Sequence, residues 1–145
     1  MNIDFKIYNE KELNSFDILG EISLSDEKTI LRDTNVYLDS WLCGFVEGLI
    51  ILKSGYNCII DLVEEPNPLE FTLSEKNAKI SYKQTSVLVD DINVFEKDLK
   101  KTCVLFLKKI KDLRDIPTLK FLSDFIEDKI DLSMPSIQPV IKKWK

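Results

Sequence analysis

Apolar and polar positions alternate from the start of the chain. Ile3, Phe5 and Ile7 are interleaved with Asp4 and Lys6, and Phe16, Ile18, Gly20, Ile22 and Leu24 with Asp17, Leu19, Glu21 and Ser23. A period of two is the mark of half-buried strands. A short strand is expected over Lys28–Arg32. The polar cluster Asp33, Thr34 and Asn35 then offers candidate caps for a helix over 35–52, "NVYLDSWLCGFVEGLIIL". After Gly55, "YNCIIDLVEE" reads as a mostly apolar strand, and Pro66 and Pro68 force a loop because each fixes the backbone and withholds a donor. Leu69, Phe71 and Leu73 alternate with Glu70 and Thr72; "SEKN" makes a turn; Ala78, Ile80 and Tyr82 continue the alternation, and "TSVLVDD" adds a further segment. From Ile92 the period changes: Phe95, Leu99, Cys103, Phe106, Ile110 and Leu113 recur every three or four residues with lysines opposite, an amphipathic helix over 92–113. Pro117 opens a last helix through about Ile130. In the tail, 133–145, Pro135 and Pro139 interrupt any period, so irregular backbone is expected. The order strand, helix, strands, helices predicts one α+β domain: an antiparallel sheet of five to seven strands with the 35–52 helix against one face and the C-terminal helices packed on that assembly.

The 35–52 stretch raises a separate question. Ser40, Gly44 and Gly48 recur every four residues, so on a helix they form a ridge without side-chain bulk, with Trp41, Phe45 and Leu49 one step round. Two helix glycines cost about 1 kcal/mol each against alanine, and close approach to a neighbouring surface is the compensation expected. That surface is the domain's own sheet or, alternatively, a partner seated in a groove. The run is too short for a bilayer, which needs roughly 20 apolar residues, and Glu47 interrupts it.

Composition excludes more than it identifies. Hydrophobic residues at 44% and charged residues at 31% are those of a chain that folds alone. There is no histidine, which removes Ser-His-Asp and Cys-His pairs, an imidazole base and the His-containing zinc sites. The four glycines form neither G-x-G-x-x-G nor a Walker pattern. No enzyme, metal site or cofactor is therefore expected; an Asp/Glu acid-base pair is the catalytic alternative left open. The three cysteines, Cys43, Cys58 and Cys103, lack C-x-x-C spacing and sit among apolar residues, which predicts buried reduced thiols and a cytoplasmic location. The opening "MNIDFKIYNEKEL" has acids where a signal peptide needs a basic region followed by an apolar one.

Charge is unevenly distributed. Residues 1–75 hold fifteen acids against five bases, residues 76–145 ten against fifteen, and no base occurs between Lys53 and Lys76. Asp61, Glu64, Glu65, Glu70 and Glu75 fall in that interval. An acidic surface repels nucleic acid and attracts basic proteins, although an ordinary solvated face is the plainer explanation of the same acids. The lysines of the second half lie along helix exteriors without the interleaved aromatics of a single-strand binder.

"NVYLDSWLCGFVEGL", followed by "CIIDLVEEPNPLEFTL", "AKISYKQTSVLVDD" and a closing amphipathic helix, resembles the immunity proteins of bacterial contact-dependent growth inhibition systems. The residues that carry the resemblance are Tyr37, Ser40, Trp41, Leu42, Glu47, Gly48, Leu49, Glu65 and Pro66, within roughly 33–107. Neither the first 30 residues nor the "KKWK" end is matched. The resemblance implies a cytoplasmic protein that binds and neutralises a cognate toxin, commonly a nuclease-type C-terminal domain with a basic surface. It implies no nucleophile, metal or cofactor. No contact residue carries over with it, so Asp61, Glu64, Glu65, Glu70 and Glu75 are toxin-binding candidates on charge alone. A cytoplasmic adaptor or chaperone, using the groove beside Ser40, Gly44 and Gly48, is the alternative.

Overall fold

The computed structural model describes residues 1–8, 18–75, 77–110 and 116–130, and the backbone of 140–142. Eight strands and three helices are described: β1 (Asn2–Ile7), β2 (Leu19–Ser25), β3 (Ile30–Tyr37), α1 (Leu38–Lys53), β4 (Asn57–Ile60), β5 (Leu69–Ser74), β6 (Asn77–Tyr82), β7 (Thr85–Val89), α2 (Ile92–Lys109), α3 (Pro117–Ile126) and β8 (Val140–Lys142). The architecture is α+β with antiparallel pairing throughout.

The strands form two sheets where one was expected: β1-β2-β3, and β7-β6-β5-β4-β8. Alternation tells which residues share a face but not which strands pair. β3 is longer than the expected 28–32 segment and runs directly into α1. Tyr37 pairs with Leu19 as the last strand residue and is also the helix N-cap. Asp33, Thr34 and Asn35, the expected caps, lie within β3. No side chain caps α1; the Leu38 N–H donates to the Ile18 carbonyl at 2.9 Å. α1 then separates β3 from β4, and the second sheet begins there.

α1 is the central element. Twelve of its sixteen residues are buried, so it is a core helix rather than a surface one. Its ridge meets the protein's own second sheet. A Cβ on Gly48 would lie 2.2 Å from the Phe71 ring tip, and one on Gly44 3.0 Å from a Leu62 methyl. Trp41 is fully buried, edge-on to Tyr82 at 4.7 Å and to Phe45 at 6.1 Å. The amphipathic reading of α2 holds: Phe95, Leu99, Cys103 and Phe106 are buried, Phe106 packs edge-on to Phe5 of β1 at 5.5 Å, and the Thr102 hydroxyl donates to the Ile3 carbonyl at 3.2 Å. One continuous hydrophobic core joins both sheets and all three helices.

Several boundaries differ from the sequence reading. β4 stops at Ile60, not Glu65, because Leu62–Glu65 close a turn through the Glu65 N–H to the Leu62 carbonyl. α3 stops at Ile126, not Ile130: Asp128 takes a φ of 56°, and the Asp128 and Lys129 N–H groups return to the Phe125 and Asp124 carbonyls. This is the double hydrogen bond of a Schellman end. α2 ends at Lys109, with Ile110 outside helical geometry. In the tail expected to be irregular, Val140–Lys142 form β8 on the β4 edge. Phe16, Asp17, Lys76, 111–113, 131–139 and 143–145, with Trp144, lie outside the described residues.

Asp26 ties the two sheets together. Its carboxylate accepts from the Lys28 and Thr29 N–H groups within the β2–β3 hairpin and, at 2.9 Å, from the Leu88 N–H on edge strand β7. These three backbone donors hold its carboxyl below the usual range. A second tie runs through Tyr82, whose hydroxyl lies 2.7 Å from Asp33 on β3 and 3.1 Å from Glu65.

Candidate functional site

The turn after β4 folds back over the N-terminal half of α1. Ser40, the first member of the ridge, accepts the Val63 N–H at 3.0 Å. Glu64 sits in the left-handed region with φ 58°, and its carboxylate accepts from the Tyr37 hydroxyl at 3.2 Å. On the other side α3 begins at Pro117, and Thr118 docks on α1: its hydroxyl donates to Asp39 at 2.8 Å and its carbonyl lies 3.4 Å from the Cys43 sulfur. Between α1, the turn and the start of α3 lies a cavity of about 380 Å³, at the small end of the range for ligand pockets.

Among the described residues four carboxylates line it, Asp39, Glu47, Asp61 and Glu64, and no lysine or arginine does. Two of the four are spoken for, Asp39 by Thr118 and Glu64 by Tyr37. Glu47 differs. It is only 7% exposed, and among the described residues no hydrogen bond or salt bridge reaches its carboxyl. Burial alone raises its pKa from 4.5 to about 7, since taking a carboxylate out of water penalises the charged form. It therefore exchanges a proton near neutrality. Val63, 59% exposed, adds an apolar residue to the rim.

Of the five acids singled out by charge, Asp61 and Glu64 line this cavity and the other three do not. Glu65 turns inward to the Tyr82 hydroxyl; burial first, then Asp33 and Glu65, raise the Tyr82 pKa. Glu70 lies exposed on β5, out of step with the buried Leu69 and Phe71, and Glu75 is exposed at the β5–β6 turn. Asp39 and Glu47, which complete the set, were not selected by charge. The available signal was two lone acids inside an apolar run, and Glu47 lies one step before the Gly48 contact with Phe71.

The three thiols are buried and held in the protonated form. Burial first, then the nearby Asp39 and Glu47 charges, push Cys43 well up; burial pushes Cys58 and Cys103 up to about 12. Among the described residues no group of three or more Cys, Asp and Glu side chains could hold a metal ion, and no helix is long and apolar enough to cross a membrane. Chemically, the cavity suits a cationic group of modest size. Among the described residues it presents negative charge and hydroxyl oxygens, with no cationic side chain to hold an anion. No family model, curated protein or solved structure matches the chain.

Proposed function

We propose that this protein is a binding protein of the immunity type, which acts in the cytoplasm by capturing a basic toxin domain and blocking it. The observation that carries this reading is the cavity that, among the described residues, is lined by four carboxylates and no base. Grouped acids draw a basic partner in and select its orientation. A nuclease-type toxin domain is the partner of this chemistry, because a surface that holds phosphates is basic and an acidic protein can occupy it. The resemblance of residues 33–107 to immunity proteins of contact-dependent growth inhibition supports the same function. Thiols that are buried and protonated suit a reducing compartment. Binding needs neither catalysis nor a cofactor.

The adaptor reading used the groove beside Ser40, Gly44 and Gly48. Phe71 occupies that ridge at Gly48 and Leu62 approaches it at Gly44, so a partner helix has no room at its C-terminal part.

Gene order and co-expression test the proposal. A short gene directly downstream of a large exported toxin gene fits it, and the 145-residue protein should then protect cells that express the toxin domain and co-purify with it one to one. A metabolic operon, or growth arrest despite co-expression, argues against it.

A further inference from the structure

Glu47 is the one lining acid that is both more than nine-tenths buried and without a partner among the described residues. Among the described residues Trp41 Nε1, and not the Glu47 carboxyl, is the buried side-chain polar atom without a partner, so the largely buried Glu47 side chain keeps its carboxyl open to the cavity it lines and available to a group from outside. We propose that the cavity is a socket for one lysine or arginine side chain of the partner protein, with Glu47 pairing to the cationic head at the wall, Asp39, Asp61 and Glu64 around it, and Val63 covering the aliphatic stem. The proposal rests on the protein-binding reading above and narrows it to one side chain and one site.

Three features support a cation rather than another ligand. The lining charges of the described residues have one sign. Asp39 and Glu64 are each held by a hydroxyl, from Thr118 and Tyr37, which fixes their direction without cancelling their charge. The Ser40 hydroxyl fixes the Val63 backbone, so the apolar lip is tied down before binding.

Occupation should also be coupled to protons. Glu47, with a pKa of about 7, is partly protonated at neutral pH, and an ammonium or guanidinium beside it favours its ionised form. Binding then releases a proton from Glu47, and affinity should rise as pH increases from about 6 to 8. Among the described residues the other titratable groups at the cavity are Asp39 and Cys43 on α1, Tyr37 at the β3 end, and Asp61 and Glu64 beyond β4, with Thr118 from α3; Cys58 on β4 also lies within electrostatic reach of Glu47, and burial pushes its thiol up to about 12. Cys43 stays protonated across this range, its thiol being held well above neutrality.

The test is a magnetic resonance titration of the 145-residue protein with acetyl-Gly-Arg-Gly-amide and acetyl-Gly-Lys-Gly-amide, with the citrulline peptide as the neutral control. The cationic peptides should give saturable shifts at the Ser40, Gly44, Glu47 and Val63 amides. The dissociation constant should be about 1 to 10 mM, as for a single side chain. Glu47→Gln should weaken this at least about tenfold, the loss of one charge-assisted hydrogen bond. Asp61→Asn, at an exposed position that does not threaten the fold, should weaken it several-fold, and the distant Glu27→Gln should leave it unchanged. Non-saturating shifts, equal binding of citrulline, or equal binding by Glu47→Gln would overturn the socket. A toxin domain captured as tightly by Glu47→Gln as by the parent overturns it too, while leaving the binding function standing. Saturable arginine binding by a protein that protects against no toxin does the reverse.

Discussion

Gly48→Ala places a single methyl group at the closest approach between α1 and the second sheet. The added Cβ would fall 2.2, 2.3 and 2.4 Å from three carbons of the Phe71 ring, where carbon pairs normally rest at about 3.5 to 4.0 Å. Relief requires a shift of more than about 1 Å by a ring that is 1% exposed and flanked by paired strands on both sides. Overpacking of this kind costs about 1 to 3 kcal/mol. Replacing a helix glycine by alanine otherwise gains about 1 kcal/mol, so at an unconstrained site the variant would be more stable than the parent. The sign of the change is therefore diagnostic. Net destabilisation of up to about 2 kcal/mol is expected, lowering Tm by about 2 to 4 °C per kcal/mol in a protein of this size. Gly44→Ala is the control on the same ridge: its nearest neighbours are methyl groups of Leu62 and Leu69 at 3.0 and 3.3 Å, which can give way. Chemical denaturation of both variants, and of Gly48→Ala combined with Phe71→Leu, measures the contact. The double variant should recover stability relative to the sum of the singles, with a coupling of about 0.5 to 3 kcal/mol. A Gly48→Ala protein more stable than the parent, or strictly additive effects with Phe71→Leu, would refute the reasoning.

Glu47 has a folded pKa of about 7, above its ordinary 4.5, so its contribution is neutral below about pH 4.5 and stability falls as pH rises towards 7. Allowing for solvent in the cavity, the loss is about 1 to 3 kcal/mol; Glu47→Gln should remove that slope and be the more stable protein at pH 8, as pH-dependent melting will reveal. Trp41→Ala, at a fully buried position, should cost about 3 to 5 kcal/mol in denaturant unfolding, and a loss below 1 kcal/mol would contradict its place in the core. Converting Asp61 and Glu64 to amides should slow association with a basic toxin domain at low salt and matter little at high salt, where exposed charges more than about 8 Å apart are screened; stopped-flow rates that ignore ionic strength would exclude steering by these acids.

The periodic parts of this fold are legible in the sequence because period reports the buried face. α2 follows from Phe95, Leu99, Cys103 and Phe106, and β5 to β7 follow from strict alternation. Helix ends were legible only where the residue type declares the backbone. Gly55 closes α1 with a φ of 88°, its N–H returning to Leu52 and that of Tyr56 to Ile51. Asp128 performs the same role for α3 without glycine, and the expected helix therefore ran too far. The division into two sheets depends on pairing partners, which alternation does not encode; the Asp26 to Leu88 and Tyr82 to Asp33 ties that join the sheets span 62 and 49 residues. The candidate site was half legible. Neighbours in sequence, the acids of 61–75, are dispersed by a turn and by the pleat, while Asp39 and Glu47 reach the cavity from a helix on which charge was not expected to matter.

The most direct test of the central claim, that the acidic cavity captures and neutralises a basic toxin domain, is growth of cells co-expressing that domain with the parent protein or with an Asp61→Lys, Glu64→Lys double variant. Both substitutions lie at exposed positions, so the variant should fold, as its melting curve will verify. The parent should restore growth, and the charge-reversed protein, present at the same level, should not. Equal protection by the two proteins would remove the cavity from the interface, and protection by neither would contradict the neutralising function itself.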